Sequence, residues 1–319
     1  MTPEIRLANA VSEIEKEWDS LTDGRPFQSS NWYRFGEFVM AGRARPHYVL
    51  LSEAGRLIGG AAFWDVREEA MARGLVSALI RRWPLLVCES PLSYMSGLVV
   101  DSSMDGLAEI ARVGRHLRHQ EKCLLLFFDC LDGNTARAIP RSIPYSFNAL
   151  GMVLNVQGHN FDEYLAGLPN KAARAVRHDL RKIEEEGIAI TRHRMVDDLD
   201  SAESLFRALE RRKGRERNPW VRAMLQNMEI VNGTWLAAHD AGGQLVGCVA
   251  AFEDNGAQLL TLMGLREGTR YAYFALLYEA IRLGLEHGLH SLYWGTGAYD
   301  VKKRLGFTPF ENNVVAIAL

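Results

Sequence analysis

The sequence predicts an α/β protein built as two similar domains in tandem, each a mixed, twisted sheet flanked by helices. Two observations carry this. A chain of 319 residues exceeds what a single hydrophobic core usually serves. The same order of hairpin, amphipathic helix and apolar strand is also written twice, nearly half a chain apart. Solenoid units recur every ~20–50 residues, so a repeat on this scale is a duplicated domain.

The first hairpin runs from Tyr48 to Trp64 and turns at Glu53-Ala-Gly-Arg56; residues Thr234 to Phe252 repeat the pattern. Gly59 and Gly247 fall at matching places after the two turns, where a bulge is expected. Leu107, Ile110, Ala111, Gly114 and Leu117 recur at helical spacing, and Leu124 to Phe128 follow as an apolar strand covered on both faces. Their counterparts are Phe274, Leu277, Tyr278, Ile281 and Leu285, then Leu289 to Trp294. Between the halves, helices are expected over 161–168, 171–186 and 199–214, the second stopped by Gly187 and the third by Asn218-Pro219. Residues 67–99 are the least regular part. The domains are placed at 1–152 and 153–319.

An apolar fraction of 48% with 24% charged residues is ordinary for a soluble globular chain. No apolar run is long enough to span a bilayer, and residues from Met1 onward lack the parts of a signal peptide, so a cytoplasmic location is expected. Cys88, Cys123, Cys130 and Cys248 lie in or beside apolar runs without CxxC spacing and read as reduced core residues. Nine scattered histidines show no metal spacing, which leaves the metal class without support; His116 and His119 read as solvated helix residues. A net charge of −2 argues against a dedicated nucleic-acid binder but leaves room for a local basic groove.

The residues that could carry chemistry fall in four places. After the last apolar strand come a glycine pair, Gly295 and Gly297, and then Tyr299, Lys302, Lys303 and Arg304. Glycines allow close backbone approach, and the cations suit a phosphate or a developing oxyanion. On the helix from Lys171, the residues Arg174, Arg177, His178 and Arg181 share one face, and the charge order opposes the helix dipole, which suggests a ligand-binding face. The stretch Arg207 to Arg222 adds Arg207, Arg211, Arg212, Lys213, Arg215, Arg217 and Arg222 against Glu210 and Glu216, a local excess of five that suits a phosphate-bearing partner. Trp220 at its end reads as packing. In the first half, Glu89 and Asp129 each directly follow an apolar strand, where burial raises a carboxyl group towards general-base strength and where open sheets bind ligands. No Walker A loop, GxSxG elbow or HExxH motif is present.

These pieces resemble a tandem GNAT (Gcn5-related acyltransferase) architecture, and more narrowly the FemABX-like proteins. The run from Asn170 to Gly187 is similar to the Arg-rich helix opening the second domain of that group, and Trp294 to Phe307 is similar to its "G…Y-x-x-K…G" ending. The resemblance extends over about residues 10 to 315 and is stronger from 160 onward. It implies amide-forming acyl transfer, with aminoacyl-tRNA as donor and the amine of a small molecule or peptide as acceptor. It needs no bound cofactor and no metal. The long helical arm of some cell-wall members is missing, which points to a small acceptor. The CoA-binding loop of GNAT enzymes corresponds to Leu265 to Phe274, where Tyr271 and Tyr273 put bulk in positions that should be small. The position of the usual tyrosine acid, counted back from Gly306, is Lys302. A lysine suits holding a carbonyl or a phosphate better than donating a proton at neutral pH.

The leading expectation is therefore an aminoacyl-tRNA-dependent aminoacyltransferase. In it Lys302 stabilises the oxyanion, Tyr299 carries a proton and Glu89 or Asp129 serves as base. Arg174, Arg177, Arg181, Arg211, Arg212, Arg215, Lys303 and Arg304 hold the donor. An acyl-CoA-dependent N-acyltransferase is the alternative, and a non-catalytic ligand-binding tandem-GNAT module the third.

Overall fold

The computed structural model describes residues 3–67, 74–100, 104–147, 150–214 and 217–318. The chain divides into two compact units, Met1–Gly151 with Phe310–Leu319, and Met152–Pro309. The first contains β1 (Glu4–Ala8), α1 (Glu15–Thr22), α2 (Ser30–Met40), β2 (Ala44–Glu53), β3 (Arg56–Val66), α3 (Gly74–Arg82), β4 (Leu85–Cys88), β5 (Leu98–Val100), α4 (Met104–Gln120), β6 (Leu125–Leu131), α5 (Gly133–Ala138) and β7 (Ser142–Ser146). The second contains β8 (Met152–Asn155), α6 (Phe161–Gly167), α7 (Asn170–Glu185), β9 (Ala189–His193), α8 (Leu199–Arg212), α9 (Val221–Gln226), β10 (Thr234–His239), β11 (Leu245–Asp254), β12 (Ala257–Leu265), α10 (Arg270–Glu286), β13 (Ser291–Trp294), α11 (Tyr299–Arg304) and β14 (Thr308–Pro309). The chain returns to the first unit with β15 (Val314–Ala318).

The duplication is visible in strand order. The first sheet runs β1-β2-β3-β4-β6-β15-β7, with β5 on β3, and the second runs β9-β10-β11-β12-β13-β8-β14. Each contains one parallel pair, β4 with β6 and β12 with β13, among antiparallel neighbours. A parallel pair needs a crossover, and α4 and α10 supply it. The predicted division at 152/153 with the whole C-terminus in the second domain is thereby corrected. Strand β15 lies between β6 and β7 and bonds to both, and Val314, Ala316 and Ala318 enter the first core. Near-complete burial and two satisfied edges hold it in the first sheet.

Local chemistry explains the repeated pieces. The first hairpin closes on Ala54 and Gly55, both at positive φ (49° and 77°), the pattern of a two-residue turn whose twist matches the strands. In each hairpin the register slips by one residue, at Ile58 and at Val246, immediately before Gly59 and Gly247. A Cβ on Gly114 of α4 would stand 2.9 Å from Phe63 and 3.1 Å from Leu126, and one on Gly284 of α10 would stand 2.6 Å from Leu292. Both crossover helices therefore lie closer to their sheets than any side chain allows.

Gly187 (φ 65°) ends α7 in a Schellman motif, with Ile188 N–H donating to Ile183 and Gly187 N–H to Glu184. Helix α8 is ended by Gly214 (φ 61°), ahead of the Asn218-Pro219 break predicted for it. The run Leu124–Phe128 is covered on one face only: Leu126 and Phe128 are core, Leu125 and Phe127 half-buried, and Leu124 exposed. Part of the irregular stretch 67–99 forms α3 and β4, while 68–73 lie outside the described residues.

Candidate active site

In the second unit β12 and β13 run parallel from Ala257–Leu260 against Ser291–Trp294 and then part. Strand β12 continues to Leu265 along β11, with a bulge at Leu262 (φ 54°), while β13 ends and the chain turns through Gly297 (φ 89°) and Ala298 (φ 48°) into α11. Beyond Leu260, β12 is paired only with β11, so a wedge opens between the two strand ends. Lys302 stands at the β13 arm of this wedge. It is buried, and its ammonium donates to the carbonyl of Gly295. Tyr299 opens α11 half-buried against the second core, and Lys303 is exposed.

Arg304, expected among the donor-binding cations, is tied within the second unit. Its guanidinium lies 3.3 Å from Asp179 and 5.5 Å from the centre of the Phe274 ring. The physical reason is Asp179 itself, a buried carboxylate on α7 that also accepts a hydrogen bond from the Tyr278 hydroxyl at 2.7 Å. A buried carboxylate requires such partners. Burial, reinforced by that hydrogen bond, pushes the Tyr278 phenol well above its ordinary value. Tyr164 adds a tie from α6 by donating to the Leu305 carbonyl at 2.7 Å. Asp179 is hard to single out in the sequence because it sits among cations. Its signal was its register: Ala172, Val176 and Asp179 fall on the apolar face, where an unpaired charge does not belong.

The loop 266–269 leads into α10. Gly268 is at φ 81°, and the Thr269 hydroxyl bonds to the Arg266 carbonyl at 2.6 Å instead of capping the helix. Arg270 is exposed at the first helical position, 5.6 Å from the ring centres of Tyr271 and Phe274. Tyr271 and Tyr273, expected to put bulk at this loop, are half-buried and pack against the second core. Burial pushes the Tyr273 phenol up to about 12.

On α7, Arg174, Arg177, His178 and Arg181 are exposed while Ala172, Ala173, Val176 and Asp179 are buried, which is the predicted division of faces. Among the described residues none of these three arginines is ion-paired to a carboxylate. The cluster at 207–222 is different. Arg207 binds Glu203 (2.9 Å) and Glu210 (2.7 Å), Arg217 binds Glu203 (3.0 Å), and Arg222 binds Asp200 (2.7 Å) and Glu203 (3.3 Å). The excess of five counted along the sequence omitted Asp200 and Glu203, which α8 brings back onto these arginines. Arg211 and Arg212 remain exposed at the end of α8, and Arg215 lies outside the described residues. Nor do the two basic helices share a surface. Gly247 faces Leu276 and Ala272 of α10, against which α7 packs, whereas Cys248 and Gly264 face Leu205 of α8. The helices cover opposite faces of the second sheet.

In the first unit the parallel register pairs Cys88 with Phe128, so Glu89, just past the end of β4, follows beside Asp129, which lies inside β6 and not after it as expected. Strand β6 bulges there: Val314 faces Leu131 and Ala316 faces Phe128, with Cys130 at φ 53°. Such bulges re-aim side chains, and left-handed non-glycine residues concentrate at functional positions. The Asp129 carboxylate accepts the Cys130 N–H at 2.6 Å, and burial raises it above the usual carboxylate range. Glu89 is half-buried and bridges to Ser96.

A mixed sheet with one parallel pair joined by a crossover helix, eight-stranded in the first unit and seven-stranded in the second, is the GNAT architecture in tandem. The model of the acetyltransferase (GNAT) domain matches residues 170–303. Over its whole length the chain has the tandem-GNAT fold of FemX: the FemX crystal structure superposes with a TM-score of 0.68 at 11% identity, covering 98% of this chain and 97% of FemX. A tandem GNAT protein from the clavulanic acid biosynthesis pathway, solved without AcCoA, matches at TM-score 0.57 and 14% identity, covering 99% and 98% of the two chains. L-PGS from Bacillus licheniformis matches at 0.56 and 10%, covering 95% and 91%. No curated protein matches the sequence. Among the described residues no helix is long and apolar enough to cross a membrane.

Proposed function

We propose that this protein is an acyltransferase that forms an amide bond, taking an aminoacyl group from aminoacyl-tRNA and passing it to the amine of a small molecule or peptide. The observation that carries the tRNA donor is the exposed face of α7. Its arginines from Arg174 to Arg181 span ~10 Å of helix and have no carboxylate partner among the described residues. A row of that length suits successive phosphates of a nucleic-acid strand better than one pyrophosphate. The FemX-like fold supports the same donor, as the resemblance of the sequence implies.

In this reading the acceptor amine attacks the ester carbonyl, the carbonyl oxygen takes up negative charge, and the C–O bond to the ribose oxygen breaks. Lys302, buried at the wedge, stabilises the oxyanion. Tyr299, three residues before it, gives a proton to the leaving ribose oxygen and takes back, directly or through water, the one that the amine nitrogen sheds as the amide forms. The first unit offers, on its own, a carboxylate pair suited to an ammonium group, Glu89 and Asp129.

The acyl-CoA reading keeps one specific observation in its favour. Because Tyr271 and Tyr273 turn onto the core, the first turn of α10 is left to Gly268, Thr269 and Arg270, and a helix N-terminus beside a cation suits a pyrophosphate. The two readings separate in one assay. Purified protein is given a mixture of charged tRNAs or acetyl-CoA with an amine panel, with and without RNase. Amide formation abolished by RNase supports the tRNA donor; formation from acetyl-CoA that survives RNase overturns it.

A further inference from the structure

The first unit contains a cluster that acyl transfer leaves unused. His47 on β2, Asp65 on β3 and Glu121 just after α4 each bring a ligand atom within 4.8 Å of the other two. Asp65 is fully buried and His47 is 8% exposed, with its Nε2 enclosed and without a hydrogen-bond partner. Buried polar atoms are almost always satisfied, and an exception calls for an explanation. Beside the cluster lies a cavity of about 460 Å³ lined by His47, Glu121, Arg45 and Leu117. Spacing along the sequence could not show this, because the three residues come from distant elements.

We propose that His47, Asp65 and Glu121 form a binding site for a first-row divalent cation. One imidazole nitrogen with two carboxylate oxygens is a borderline donor set that suits Zn²⁺ or its neighbours and not Ca²⁺ or Mg²⁺, which favour oxygen alone. Three protein ligands leave a position open, here on the side of the cavity, as in sites where a metal binds a further small molecule. Bonds of ~2.1 Å in a tetrahedral site put ligand atoms ~3.4 Å apart, so separations within 4.8 Å must close by at most ~1.4 Å, within reach of a side-chain rotation.

Arg45 shapes this site in two ways. Its backbone N–H donates to Asp65 Oδ1 at 2.8 Å, its Nε and a terminal nitrogen both donate to Asp65 Oδ2 at 2.8 and 2.5 Å, and that terminal nitrogen also donates to Glu121 Oε2 at 2.8 Å. Each carboxylate oxygen can accept twice, so Asp65 Oδ2 is filled by the guanidinium while Asp65 Oδ1 and the Glu121 carboxylate, oriented by these bonds, keep lone pairs for a metal. The guanidinium also competes with the metal by its charge. Its side chain is 58% exposed, so it can withdraw towards water when a dication arrives.

The test is a titration of chelator-stripped full-length protein with ZnCl₂ by calorimetry and with CoCl₂ by visible absorption. Saturable binding of one ion per chain, micromolar or tighter, with a cobalt ligand-field spectrum and a raised Tm is expected. His47→Gln and Glu121→Gln should each weaken binding by more than ~10-fold, and Arg45→Met should tighten it by removing the competing charge. Circular dichroism of the metal-free variants reports folding. No saturable binding below millimolar Zn²⁺, or binding unchanged in folded His47→Gln and Glu121→Gln, overturns the site. Should one ligand variant fail to fold, the other together with Arg45→Met decides.

Discussion

Lys302 donates its ammonium to the carbonyl of Gly295, seven residues earlier, so the helix bearing the lysine is tied to the turn that ends β13. The lysine side chain is buried and held at the wedge, and it does not sweep through solvent. A fixed ammonium suits preorganised charge stabilisation, because no reorganisation is needed as the oxyanion forms.

Two effects of Lys302→Met follow and can be read separately. Loss of one oxyanion donor lowers kcat/KM by about a hundredfold. Loss of the Gly295 partner lowers stability by ~1–3 kcal/mol. Steady-state kinetics on the folded fraction, beside urea denaturation, checks both. A stability loss with normal turnover per folded molecule would assign Lys302 a purely structural role.

Asp179 makes the contrasting prediction, since its partners are all within the second unit. Asp179→Ala removes the partner of the Tyr278 hydroxyl and of the partly exposed Arg304 guanidinium, so it should cost ~2–3 kcal/mol. Tyr278→Phe removes one hydrogen bond and should cost about 1 kcal/mol. Chemical denaturation of the two variants gives the ratio directly. Equal effects would mean that Arg304 is held by Phe274 alone.

These two sites show what could be read from the sequence and what could not. The duplicated hairpin, helix and strand were legible because hydrophobic periodicity is local, and Gly187 because a C′ glycine is a local signal. The position of Lys302 was legible from its distance to Gly306. Its bond to Gly295 was not, since that depends on how the turn after β13 folds back. The basic stretch 207–222 misled for the opposite reason: charge was counted along the chain, whereas α8 places Glu203 against Arg207, Arg217 and Arg222. Strand β15 escaped because nothing in five apolar residues says which sheet they join. The His47, Asp65 and Glu121 cluster escaped because its members meet only through β2, β3 and the end of α4.

The α7 face gives a prediction with a salt signature. Arg177→Glu with Arg181→Glu changes only exposed residues, so Tm should move little. If both arginines contact tRNA phosphates, each contributes ~0.7–0.9 to the slope of log K against log salt. The double variant should therefore bind tRNA more weakly with a slope shallower by ~1.4–1.8, and should leave any acetyl-CoA binding untouched. Filter binding over a range of KCl concentrations measures it; an unchanged slope would remove α7 from the donor site.

Asp129 yields a pH prediction whose sign is set by burial. Its folded value lies above the unfolded reference of 3.8 because burial disfavours the charged form. Between those two values the native state binds more protons than the unfolded chain, so stability falls as pH rises through the window. Ionised Asp129 is then a net cost at neutral pH, retained against stability. Asp129→Asn can still accept the Cys130 N–H without carrying charge, and it should raise Tm at pH 7. The gain should shrink as pH falls below the native value, where the aspartate is protonated as well. If Asp129 also holds the acceptor's ammonium, the same variant should raise KM for the amine while leaving donor binding unchanged. A Tm that does not rise at pH 7 would show that the Cys130 contact and the neighbouring groups already compensate the buried charge.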